Sequence, residues 1–124
     1  MQTVTLVNQA ANAAITGTST AYRPVVGYTS VFVAEVKATA AATPTTTGTV
    51  ALQGSLDGVD WVTIDSFAVS AMTQPVGVTP DWTSTGGYRT YVKVVQGFPL
   101  MRVCTSAGIG SNGSHTLTAY VANG

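Results

Sequence analysis

Apolar and polar residues alternate with a period of two along most of the chain, in short runs rich in Val and Thr that Gly and Pro interrupt. The first run covers residues 3–7 and a softer one covers 14–18. The longest spans 28–38 and places Phe32, Ala34, Val36 and Ala38 on one face. Its other face carries Val31, Val33, Glu35 and Lys37, apolar at one end and polar at the other. Such a strand is expected to be covered on both sides over its first half.

Residues 39–48 form a low-complexity Ala/Thr/Pro segment, where Pro44 and the β-branched threonines argue against a helix. A hairpin follows. Residues 49–54 put Val50, Leu52 and Gly54 on one face, Ser55-Leu56-Asp57-Gly58 make the turn, and 60–67 return. Residues 71–87 contain Pro75, Pro80 and Gly86-Gly87 and read as an irregular connection. Further strands are expected over 88–95, over 100–105 after Pro99, and over 115–121, the last with Leu117, Ala119 and Val121 inward. The pattern thus predicts about eight strands and no helix longer than a turn, an all-β chain. The expected fold is a two-sheet antiparallel sandwich, of jelly-roll or immunoglobulin-like type, formed by one domain over residues 1–124.

Composition changes this picture in one respect. Hydrophobic residues make up 45% of the chain, but charged residues only 8%, about a third of the usual ~25%. Disordered chains combine low hydrophobicity with high net charge, so disorder is not the reading. A surface with so few charges has little to keep it from associating, which points to an assembly. Arg23, Lys37, Arg89, Lys93 and Arg102 are scattered singly and balanced by five acids, so nucleic-acid binding is not expected. No apolar run approaches the length of a membrane span. The start, Met1 to Leu6, lacks the basic and apolar regions of a signal peptide, and synthesis in the cytoplasm is expected. With one cysteine, Cys104, no internal disulfide forms.

Candidate chemistry is sparse. His115, the single histidine, follows Asn112-Gly113-Ser114 without a nucleophile elbow, and reads as a solvated strand-edge residue rather than a general base. Asp57 and Asp60 flank one tight turn, where Asp caps the backbone. A Ca²⁺ site built from this pair and loop carbonyls is the alternative, without EF-hand spacing. No cofactor or other metal is expected, and the chain reads as non-enzymatic. Among the aromatics, Trp61 is expected at the core edge, while Trp82, in the 71–87 connection, is the better exposed ring. Tyr88 and Tyr91 lie on opposite faces of one strand, so one of them is expected outside. The candidate interface residues are Trp82, Tyr88, Tyr91, Tyr120, Thr3 and Thr5.

The hairpin Gly48-Thr49-Val50-Ala51-Leu52-Gln53-Gly54-Ser55-Leu56-Asp57-Gly58-Val59-Asp60-Trp61-Val62-Thr63-Ile64 resembles one common in small tailed-bacteriophage virion proteins, which carry a Val-x-Leu-x-Gly-Ser-x-Asp-Gly-x-x-Trp run. A later aromatic-Pro-x-x-Arg-Val strand, Phe98 to Val103, and a closing Thr-rich strand, Thr116 to Val121, are similar too. The likeness covers about half the chain. It implies a β-sandwich and a virion role, most often that of a capsid decoration (cement) protein. Such a protein binds the major capsid protein and copies of itself, commonly as a homotrimer, on the capsid surface. A neck or tail position is the alternative within the virion. The Gly-Ser-x-Asp-Gly-x-x-Trp turn also resembles discoidin-like carbohydrate-binding domains, with a glycan as ligand and Trp82 as platform. Residues 1–27 read either as an extended arm reaching a neighbour or as two ordinary strands of the domain.

Overall fold

Strict alternation in burial carries the architecture. In the strand formed by Thr29–Ala38, Ser30, Phe32, Ala34, Val36 and Ala38 are buried, while the residues between them are half-buried or exposed. A computed structural model describes residues 2–11, 13–21, 29–45, 47–77, 80–109 and 113–123. Its elements are β1 (Gln2–Ala10), β2 (Thr18–Ala21), β3 (Thr29–Ala38), β4 (Thr49–Ser55), β5 (Val62–Ala68), β6 (Tyr88–Gln96), β7 (Leu100–Thr105) and β8 (His115–Asn123). A 3-10 turn, Val69–Ala71, follows β5.

The strands form two four-stranded sheets, ordered β1-β8-β3-β6 and β2-β7-β4-β5, with every pairing antiparallel. Outermost strands pair with outermost: β1 with β8, β2 with β7, β3 with β6, β4 with β5. This is one long hairpin rolled up so that consecutive strands fall in different sheets, apart from the β4–β5 hairpin. That winding is a jelly roll. It sets aside the immunoglobulin-like alternative, in which several consecutive strands share a sheet.

Phe32, Leu6, Leu52, Met101, Leu117, Val36, Val50, Val103 and Val121 fill the space between the sheets and are fully buried. Across that space Phe67 stacks on Tyr91 at 3.8 Å between centroids, and Phe32 lies 6.3 Å from each. The expected inward faces of β3, β4 and β8 are all found.

Two local expectations shift. Residues 14–17 are irregular and β2 begins at Thr18, because Gly17 takes a positive φ of 68°. Ile15 is nevertheless buried and held to Thr105 through N–H to Oγ1 (2.9 Å) and C=O from N–H (3.0 Å). Strand β5 begins at Val62, since the N–H of Asp60 turns back to the Asp57 carboxylate (2.9 Å). Within residues 1–27, Gln2–Ala10 pairs along β8 and Thr18–Ala21 along β7 as strands of the two sheets. Residues 22–28 lie outside the described residues.

Candidate functional site: the outer face of the first sheet

The register of the first sheet decides which side chains share its outer face. Thr3 stands opposite Ala122, which faces Val31, which faces Val94. In the next row, Thr5, Tyr120, Val33 and Val92 line up in the same way. These two rows form an apolar field at one end of the sheet. Val92 and Val94, on the edge strand β6, are 61% and 63% exposed, while Val31, Val33 and Tyr120 are half-buried. The next two rows are polar. They run Asn8, Thr118, Glu35, Thr90, then Ala10, Thr116, Lys37, Tyr88. Within them the Thr118 hydroxyl donates to the Asn8 side-chain carbonyl at 3.2 Å.

Three of the six expected interface residues, Thr3, Thr5 and Tyr120, thus meet in the apolar field, and Tyr88 sits on the same face at its polar end. Tyr91 points the other way, as the opposite-face argument required. It stacks on Phe67, and its hydroxyl donates to Asp65 Oδ2 at 2.8 Å. Burial and that carboxylate push the Tyr91 phenol up to about 12. Lys93 reaches Asp65 from the side at 3.7 Å. Sequence reasoning passed over Val92 and Val94. The signal was present, because Val92 and Val94 alternate in phase with Thr90 and Tyr88 on a strand whose inward positions are already taken.

Trp82 corrects the expectation of an exposed ring. It is 3% exposed and belongs to the core. The loop carrying it folds back over one end of the sandwich. The Trp82 N–H donates to Asp81 Oδ1 (2.8 Å), and Arg89 grips Asp81 through Nε–Oδ1 (3.1 Å) and Nη2–Oδ2 (2.8 Å). The same guanidinium lies 4.4 Å from the Trp82 ring centroid. Hydrogen bonding from Arg89 holds the Asp81 carboxyl below the usual carboxylate range. The fold-back brings the Asp81 carbonyl against Gly87, where any side chain's Cβ would overlap it. With the ring enclosed, Trp82 offers no platform to a sugar.

His115 is a second correction. It is fully buried, with Nε2 2.6 Å from the Trp82 carbonyl and Nδ1 3.2 Å from Ser114 Oγ. A carbonyl only accepts, so Nε2 carries a proton and donates to it, while Nδ1 faces the Ser114 hydroxyl. The imidazole ties the Trp82 loop to the start of β8, a structural post.

The β4–β5 turn takes the capping role expected of Asp57. Its Oδ1 accepts from the N–H groups of Val59 (2.8 Å) and Asp60 (2.9 Å) and faces Ser55 Oγ at 3.0 Å. Those backbone bonds lower its carboxyl from the ordinary value. Gly58 has φ 82°, the left-handed conformation the turn requires. Among the described residues no group of three or more His, Cys, Asp or Glu is placed to hold a metal ion. Trp61 lies not at the core edge but over the outer face of the second sheet, with the Arg102 guanidinium 4.2 Å from its ring centroid. A groove of about 350 Å³ runs between the edge strands β5 and β6, walled by Val62, Ile64, Val95 and Phe98. Beyond it the hairpin tip exposes Leu56 and Val59.

Compared with protein-family models, with curated proteins and with solved structures, the chain matches none. No helix among the described residues is long and apolar enough to cross a membrane.

Proposed function

We propose that this protein is a non-enzymatic assembly protein of a virion, a capsid decoration protein that packs the outer face of its first sheet onto the shell. The observation that carries the reading is the apolar field of Val31, Val33, Val92, Val94 and Tyr120, edged by Thr3 and Thr5. A sheet face usually alternates apolar-in and polar-out, and this one is apolar on both sides over half its length. Covering the two exposed valines contributes about 1 kcal/mol each. The Tyr120 and Thr3 hydroxyls of this field suit a protein partner with a few backbone acceptors. The low charge of the chain and the likeness of its hairpin to phage virion proteins support the same reading. The jelly roll, a winding found in capsid and lectin domains alike, is consistent with it but decides nothing alone.

The test is a count of this chain in purified particles of a phage that makes it. Many copies spread over the head, and a head that loses heat resistance when they are stripped, support the proposal. Copies confined to one vertex move the protein to the neck or tail. Absence from the particle overturns a virion role. The sugar-binding reading loses its chief observation with the burial of Trp82.

A further inference from the structure

Sheet edges offer unpaired backbone groups, and proteins guard them with bulges, charges, Pro or brevity. Four strands here lie at edges: β1 and β6 in the first sheet, β2 and β5 in the second. The pairing of β1 is interrupted by a bulge between Thr5 and Val7. That of β5 shifts register opposite Leu52 and Gln53. Strand β2 has only four residues. Strand β6 has no bulge and no Pro, running in unbroken register with β3 from Tyr88 to Gln96, and its two charges, Arg89 and Lys93, are each paired with a carboxylate of the same chain, Asp81 and Asp65.

One part of the β6 edge is occupied. Thr73 and Thr90 exchange both backbone bonds, N–H to C=O at 2.9 and 2.8 Å. That pair also gives the direction of the rest. Thr90 turns its N–H and C=O away from β3, and antiparallel ladders alternate, so Val92, Val94 and Gln96 turn theirs away as well. Among the described residues no backbone group outside the strand takes them. The edge therefore presents three consecutive outward residues with two exposed valines above them.

We propose that a second copy of this chain pairs antiparallel with this edge, with Val94 on the two-fold axis. Only that register matches all three outward residues with one another: Val94 with Val94 of the second copy, and Val92 with its Gln96. It also sets Lys93 opposite Val95 rather than directly opposite a second Lys93. Each Lys93 keeps its own Asp65. The outer-face row of Val31 and Val94 then continues into the same row of the second copy, doubling the apolar field without covering it. Such an isologous contact closes at two subunits. The inference rests on the edge alone and is independent of the virion role.

Sedimentation across a concentration series tests it, together with variants that spare the fold. A dimer is expected for the wild type. Val94→Pro removes an outward N–H that β3 does not use, and should raise the dimer dissociation constant by at least about tenfold with an unchanged circular dichroism spectrum. In a Cys104→Ala background, Val94→Cys should form a disulfide between subunits, since facing Cα atoms in such a pair lie within disulfide reach, whereas Val92→Cys should not. Val76→Lys, exposed and off the edge, should remain dimeric. A wild-type monomer or trimer, an undiminished dimer in folded Val94→Pro, or equal cross-linking through Val92→Cys overturns the proposal.

Discussion

The two outer faces of the sandwich are built from the same alternating pattern and end up with opposite surfaces. On the first sheet, β3, β6 and β8 turn Val31, Val33, Val92, Val94 and Tyr120 to the outside. On the second, the corresponding positions hold Gln53, Arg102, Cys104, Ala51 and Ser66. There the polar groups satisfy one another. Arg102 Nε donates to Gln53 Oε1 at 2.7 Å, the Cys104 thiol lies 3.8 Å from the same oxygen, and Arg102 covers the Trp61 ring. One face completes itself with its own side chains, and the other leaves apolar area exposed. Fold alone does not make this difference, since both sheets share one core. It comes from a handful of outward positions, which is why function here is to be sought at the level of the face.

Because the faces share a core, the largest effect comes from cutting beneath both. Phe32→Ala empties the aromatic layer between the sheets and is expected to cost about 3–5 kcal/mol, measured by urea unfolding. Both faces should be lost together in one transition.

A smaller effect is expected at the bridge from one sheet to the other, Tyr91 to Asp65. The folded phenol is held up at about 12 against an ordinary value near 10. The stability it contributes is therefore complete below pH ~10 and declines as pH rises toward 12. Tyr91→Phe should lose roughly 1–2 kcal/mol at neutral pH. It should also lose that alkaline decline, with the late tyrosinate absorbance step disappearing at the same time.

The smallest effect is expected on the self-satisfied face. Arg102→Ala removes the cation over Trp61 and the bond to Gln53, and is expected to cost about 0.5–1 kcal/mol. Trp61 fluorescence should change while association of the protein does not.

Much of this was legible in the chain. The inward residues of β3, β4 and β8 follow directly from alternation, and so does the mixed character of the outer face of β3, where Val31 and Val33 precede Glu35 and Lys37. Sequence could not choose jelly roll over immunoglobulin-like winding, because β1 meets β8 across almost the whole chain and no local pattern encodes that partner. Trp82 and His115 were misplaced for a related reason. Each sits beside Pro, Gly, Ser or Asn, which locally mark exposed turns. Their burial depends on a contact between residues 82 and 115 that only the closed fold brings about. The outward valines of β6 became a surface only once β6 was placed beside β3 in register.

The proposed shell contact uses the apolar outer face of the first sheet and not the polar face of the second. The most direct measurement is the affinity of two folded variants for shells stripped of this protein, compared side by side. Val33→Asp places a charge in the middle of the apolar field, and Ser66→Asp places the same charge on the opposite face. Val33→Asp is expected to weaken binding by at least about a hundredfold, while Ser66→Asp is expected to stay within about twofold of wild type. Equal loss in both, or loss in Ser66→Asp alone, would contradict the proposed contact.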